Sequence, residues 1–234
     1  MAMIYGVDST TPANTRLTNG YHLYDWVMRL SSVPAFWGRN VSGETHITAE
    51  EIEFLRERNC KIALLFNDLT EADVSVTCGT NDAVRLLEAV RALGVPAHKG
   101  IGLFAVIEPN WSVSHNWMLS FALEIFKNGY VAGFIGNTDS SKNHVYNRQC
   151  SHYAQAAEQG GCWSHLWKEG NYSTVYWSTE PKPRGEPDEW NPYCPSALRQ
   201  DQMSIWQNGT VTLGDVTANT NYTRDEAILR YMWQ

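Results

Sequence analysis

CKIALLFND (residues 60–68), TNDAVRLLEAVRALG (80–94) and GIGLFAVIE (100–108) follow one another in the chain. The outer two are short, nearly unbroken apolar runs, as expected of strands covered on both faces. The middle one is a helix closed by Gly94, a glycine at the position where left-handed caps fall. Strand, helix, strand in one direction is the unit of a parallel sheet. The same alternation extends both ways. MIYGVD, PAFWGR and YVAGFIGN read as further strands, and GYHLYDWVMRLSS, TAEEIEFLRERN and SVSHNWMLSFALEIFKNG as helices. In the third of these helices a glycine again marks the stop. In TAEEIEFLRERN, Thr48 as N-cap with Glu51 three residues on predicts a capping box.

Five alternations of this kind admit a closed barrel or an open doubly wound sheet. No G-x-G-x-x-G follows the first strand, so the dinucleotide-binding form of the open sheet has no support. The second half is less regular. NHVYNRQCSHYAQAAEQGG reads as a helix, STVYWSTEP and MSIWQNG as short strands, and TVTLGDVTANTNY as a last strand entering a polar loop. Neither an internal repeat nor a linker interrupts the 234 residues. One domain spanning 1–234 is the simplest organisation.

Composition narrows the function classes. The net charge is −7, and no basic cluster exceeds two neighbours, which argues against nucleic acid as a partner. No apolar run approaches the ~18 residues of a membrane span. The start MAMIYGVDS lacks the basic and apolar regions of a signal peptide. The five cysteines show neither C-x-x-C nor a zincin motif, so no metal site is expected. Cys60 opens an apolar run and is expected to be a buried thiol. Cys150 and Cys162 bracket a Gly-Gly turn and are the best placed to pair, although free thiols throughout are an equal alternative. Five N-x-S/T sequons occur, at Asn40, Asn110, Asn171, Asn208 and Asn221, and are weak evidence for glycosylation.

What stands at the strand ends points to chemistry. These positions hold Asp8, Trp37 and Arg39, Asn67 and Asp68, Glu108, Asn137, Trp177 and Glu180, Gln207, and Asp215 and Asn219. In a parallel barrel such ends meet on one face, where active sites lie. Loops are solvated, so polar strand ends alone mean little. The set is nevertheless rich in carboxylates, amides and indoles and contains no lysine. Carboxylates and amides bind hydroxyls, and indoles stack on sugar rings.

YGVDSTTPA, FWGRNVSGETHITAEEIEFLRERNCKIALLFND, GLFAVIEP, YVAGFIGN, YWST and IWQNGT…DVTANTNY occur in this order over almost the whole chain. Together they resemble the bacterial glycoside-hydrolase-like domain of unknown function 1906, a family related to the family 25 glycoside hydrolases, the lysozyme-type muramidases. The strongest piece runs from Phe36 to Asp68, with ITAEE for the relatives' LTAEE. The resemblance implies a single (β/α)8 TIM-type barrel, irregular in its second half. It also implies a groove facing peptidoglycan or a related polysaccharide, no cofactor, and action outside the cell or in its envelope. Asp8 matches the aspartate ending the first strand, Glu108 the acid ending the fourth, and Gln207 the glutamine of the penultimate strand. There are two departures. Only Glu108 remains of the muramidases' Asp-x-Glu pair, and Thr217 stands where an aspartate is expected, with Asn219 kept.

Glycoside cleavage uses two carboxyl groups, and Asp8 and Glu108 are the pair available. Val106, Ile107 and Trp111 around Glu108 predict an apolar setting suited to a general acid, while Asp8 would stay ionised as base, nucleophile or orienter. The other ligand-binding candidates are Trp37, Arg39, Asn67, Asp68, Asn137, Trp177, Glu180, Gln207 and Asn219. A monomeric hydrolase and a glycan-binding barrel without turnover are the two functions this set allows.

Overall fold

The computed structural model describes residues 3–139, 144–159, 173–179 and 187–234. Eight strands close into a barrel in chain order. They are β1 (Ile4–Asp8), β2 (Phe36–Asn40), β3 (Lys61–Phe66), β4 (Gly102–Val106), β5 (Val131–Asn137), β6 (Val175–Thr179), β7 (Met203–Leu213) and β8 (Val216–Thr223). Helices α1 (Leu23–Leu30), α2 (Ala49–Glu57), α3 (Glu71–Ser75), α4 (Thr80–Ala92), α5 (His115–Lys127) and α6 (Val145–Gln159) join the strands up to β6. Neighbours from β1 to β7 pair in parallel.

The barrel is not parallel throughout. β8 runs antiparallel to both β7 and β1. The segment expected to be a strand and a polar loop is a hairpin turning at Gly214-Asp215. Gly214 has φ +66°, the positive value that a two-residue hairpin turn needs at its first central position. A strand entered through so short a turn can only run back.

Two apolar layers result from the period-two alternation of the strands. Outward residues such as Val7, Trp37 and Leu64 share one apolar cluster with Leu86, Trp117 and Phe121 of the helices. Inward residues Phe36, Leu65, Phe104, Ile135, Trp177 and Ile205 fill the lumen. Glycines on the inner face admit the large rings. A Cβ on Gly6 would lie 2.1 Å from the Phe36 ring, and one on Gly133 2.3 Å from Phe104. The amino-terminal end of the barrel is stoppered by Ile228, Tyr231 and Met232, and the Trp233 backbone exchanges hydrogen bonds of 2.7 and 2.8 Å with Ile62. Among the described residues, the opposite, carboxyl end has no such stopper.

Local signals behave largely as expected. Gly94 (φ +75°) and Gly129 (φ +81°) end α4 and α5. Thr48 caps α2 by accepting from the Glu51 amide at 3.2 Å, but the Glu51 side chain leaves the helix end altogether. The reciprocal capping box forms instead between Thr70 and Asp73 of the short α3. Cys60 is a buried free thiol, and so is Cys150. Cys162, the partner expected for Cys150, lies outside the described residues. Burial pushes the Cys150 thiol up to about 12 and that of Cys60 further still, whereas hydrogen bonding with Thr80 holds the exposed Cys78 below its usual value. Asn40, Asn208 and Asn221, three of the five sequon asparagines, are buried and so closed to a glycan.

Two outcomes follow. Gly6→Ala should cost about 1–3 kcal/mol by overpacking, read as a lowered urea midpoint, and Phe36→Leu in the same chain should recover part of the loss. An unchanged midpoint would contradict the inward placement of both residues. In native thiol labelling, Cys78 should react first, with Cys60 and Cys150 reacting only after unfolding.

Candidate active site

The open end of the barrel holds a pocket of ≈ 280 Å³. Asp8 lies at its base, where β1 meets β8. The Asn219 side-chain amide donates to Asp8 Oδ2 at 2.8 Å and that of Asn221 to Oδ1 at 2.7 Å. Register explains the arrangement: Asp8 pairs with Asn219 and Gly6 with Asn221, so all four face inward. The Trp177 indole donates to Asn221 Oδ1 at 3.0 Å. An indole N–H can only donate, so it turns the amide nitrogen of Asn221 toward the carboxylate. Opposite, a Cβ on Gly38 would lie 2.7 Å from the Asp8 Cβ and 3.4 Å from the Trp177 ring. Only glycine leaves Asp8 its place.

Burial raises the Asp8 carboxyl from 3.8 to about 6, and the hydrogen bonds from Asn221 and Asn219 oppose this only in part. Neutral amides stabilise the anion less than a cation would. Glu108 shares the pocket, two residues beyond β4 on a turn where Trp111 N–H donates to the Glu108 carbonyl at 3.1 Å. It is exposed. The apolar enclosure expected around Glu108 from its neighbours in sequence is therefore absent, because the strand has ended and the turn lifts the side chain into water. The desolvated carboxyl is Asp8.

Asn67, Asn137, Trp177, Gln207 and Asn219 also line the pocket, as expected from their strand ends. Trp177 is only 1% exposed, so it is the pocket floor and not a platform for stacking a sugar. Trp37 and Arg39 do not line it. Both point outward, because the inward positions of β2 are Phe36, Gly38 and Asn40. Asp68 sits at the surface, where Arg85 Nη2 donates to its carbonyl at 2.6 Å and lies 3.4 Å from its carboxylate. Glu180 lies outside the described residues. Ser9, Thr10, Asn40 and Thr179 line the pocket and were not anticipated. Register brings Asn40 in: Asp8 is inward and pairs with Gly38, so alternation places Asn40 on the same face.

Arg39 has another task. Its side chain is fully buried, with Nε 2.8 Å from Glu51 Oε1, and Nη1 donates to the Ser9 and Thr10 carbonyls at 2.6 and 2.8 Å. Nη2 donates to the Thr45 carbonyl at 3.1 Å, and Glu51 accepts from the Ala13 amide at 2.7 Å. One guanidinium thus ties together the loops after β1 and β2, including the pocket-lining Ser9 and Thr10. This long-range pull is what draws Glu51 away from its own helix cap.

No family model and no curated protein matches the chain. Among solved structures, the chain is similar to an uncharacterized protein of B. stearothermophilus (22% identity, TM-score 0.74, 98% of this chain and 100% of that one). It is similar to a Tat-secreted protein of Mycobacterium tuberculosis solved with L-tartrate (13%, 0.59, all of both chains). It is also similar to a family GH25 lysozyme from Aspergillus fumigatus (12%, 0.55, 98% of each). At these identities the likeness is one of fold: the barrel is of the kind found in family 25 lysozymes.

Two measurements check the site. Carboxyl NMR should titrate Asp8 near pH 6, and Asn221→Leu, which removes the strongest opposing hydrogen bond, should move the midpoint higher. A midpoint near 4 would remove the premise of a desolvated acid. Because folded Asp8 keeps its proton above the pH at which the unfolded residue loses it, folding takes up a proton between roughly pH 4 and 6. The Asp8 contribution to stability must therefore fall as pH rises through that window. Separately, Glu51→Ala should cost about 3–5 kcal/mol by stranding a buried guanidinium, as read by urea unfolding.

Proposed function

We propose that the chain is a glycoside hydrolase acting on a cell-wall glycan of the peptidoglycan type, outside the cell or in its envelope. The observation that carries this reading is that Asp8 and Glu108 line one pocket at the open end of the barrel, among carboxamides and hydroxyls suited to a sugar. The lysozyme-like barrel supports the choice of glycan. The roles expected from sequence are exchanged. Asp8, raised to about 6, is the proton donor to the leaving glycosidic oxygen. Its two amide partners fix the carboxyl plane and leave the remaining lone-pair directions toward the pocket. Glu108, at the rim and open to solvent, is the second carboxylate. It stabilises the oxocarbenium-like transition state or activates water. Arg39 acts at one remove, by holding the backbone of Ser9 and Thr10 where the sugar passes.

A second reading, a glycan-binding barrel without turnover, is favoured by one feature: Glu108 sits on an exposed turn instead of a strand. One assay separates the two. Wild type, Asp8→Asn and Glu108→Gln are incubated with peptidoglycan and chitin-type oligosaccharides, with cleavage and binding read together. The hydrolase reading expects cleavage by wild type, declining as pH rises past about 6, and a loss of about 10²–10⁴-fold in Asp8→Asn. Cleavage by Asp8→Asn at the wild-type rate contradicts Asp8 as the acid. Binding without cleavage by wild type moves the assignment to the second reading.

A further inference from the structure

Glu108 is the first residue beyond the barrel ladder, and the backbone on both sides of it is tied down. Before it, the Ile107 amide donates to the Ile135 carbonyl of β5 at 2.9 Å, and the Ile107 side chain is buried. After it, Glu108-Pro109-Asn110-Trp111 forms a turn closed by the Trp111 amide, which donates to the Glu108 carbonyl at 3.1 Å. Proline in the second position presets φ for such a turn and biases the residue before it, Glu108, toward extended backbone. Two neighbouring elements then fasten the turn. His144 Nδ1 lies 2.9 Å from the Pro109 carbonyl oxygen. A carbonyl oxygen accepts, so Nδ1 carries the proton in this bond. Past the turn, the Ser112 amide donates to Glu71 Oε1 of α3 at 2.9 Å.

The two fasteners differ in weight. Glu71 and Ser112 are exposed, so water competes for their bond. His144 is half-buried with its Nε2 enclosed. It directly precedes α6, and Tyr146 in the first turn of that helix is buried with its ring over Gly136 of β5, where a Cβ would lie 2.6 Å from it. The His144 bond thus ties an exposed turn to an element seated firmly on the next strand of the barrel.

We infer that His144 is a positioning residue for Glu108: through the Pro109 carbonyl it fixes the turn that presents this carboxylate to the pocket, with Glu71 as a lesser second tie. The inference rests on the hydrolase reading and supplies what a reacting group on an exposed turn needs, a fixed backbone. Reacting groups must be held within roughly 0.5 Å of the productive geometry, and a misplacement of about 1 Å costs on the order of 10²-fold in rate. His144 bonds to the backbone beside Glu108, so its effect reaches the reaction through that residue. Arg39 does the same for Ser9 and Thr10 on the β1 side of the pocket.

The test uses the full chain with two substitutions at one position. His144→Leu removes the donor. His144→Asn keeps it, because the amide nitrogen of asparagine, like Nδ1 of histidine, is bonded to Cγ. Native-state hydrogen exchange, which needs no substrate, follows the Trp111 amide that closes the turn, with the Ile107 amide as internal reference. Trp111 should exchange at least about tenfold faster in His144→Leu while Ile107 keeps its rate, and His144→Asn should restore most of the Trp111 protection. With peptidoglycan-type oligosaccharides, kcat should fall about ten- to a hundredfold in His144→Leu with KM within about twofold, and recover in His144→Asn. Glu71→Ala should give the same pattern at smaller size. Equal Trp111 exchange in wild type and His144→Leu overturns the tie, and so does an equal rise at Ile107, which marks general loosening. Faster Trp111 exchange with unaltered kcat, or a loss of kcat that His144→Asn shares in full, overturns the positioning role. A wild type that cleaves nothing overturns the hydrolase reading and the catalytic consequence with it, while the exchange result still decides whether His144 holds the turn.

Discussion

Closing the ring of eight strands requires β1 to meet β8, and at that seam an aspartate is held between two asparagine amides. Asp8, Asn219 and Asn221 share the inner face because β8 runs antiparallel and pairs Asn219 with Asp8 and Asn221 with Gly6. The Trp177 indole orients Asn221, and Gly38 clears the space beside Asp8. Four strands thus converge on one carboxyl group. Barrel closure and the position of the candidate acid are the same structural fact, and a change at any of these residues touches both.

The seam also sets the electrostatics. The packing that closes the barrel desolvates Asp8 at the base of the pocket, and the groups that stabilise its charge are neutral amides. Desolvation therefore prevails over hydrogen bonding, and the carboxyl rises to about 6. The buried guanidinium of Arg39 is paired with Glu51 and works as a clamp on the loops after β1 and β2. Had Arg39 pointed inward, Asp8 would be a permanently ionised partner in an ion pair, unable to deliver a proton near neutral pH.

The sequence makes the first five strands and their helices legible because apolar runs covered on both faces differ sharply from amphipathic helices. Local punctuation was also readable at Gly94 and Gly129. The hairpin was missed because the threonine-rich run resembles a loop in composition, although Gly214-Asp215 is a turn signal in its own right. In the site, strand-end position identified Asp8, Glu108, Asn137, Gln207 and Asn219, since a parallel barrel gathers those ends. It could not tell inward from outward, which depends on register between strands distant in sequence. That is why Arg39 and Trp37 were placed in the pocket and Asn40 was not. Desolvation was read from the neighbours of Glu108 in sequence. Burial is fixed instead by tertiary packing, which encloses Asp8 and leaves Glu108 in water.

The most direct test of the account is a crystal structure of Glu108→Gln with a cell-wall oligosaccharide bound across the open end of the barrel. The account predicts a glycosidic oxygen within about 2.6–3.2 Å of an Asp8 carboxyl oxygen, with Asn219 and Asn221 still donating to that carboxyl group. An oligosaccharide bound away from the β1–β8 seam, or one whose glycosidic oxygens all lie beyond reach of Asp8, would contradict it.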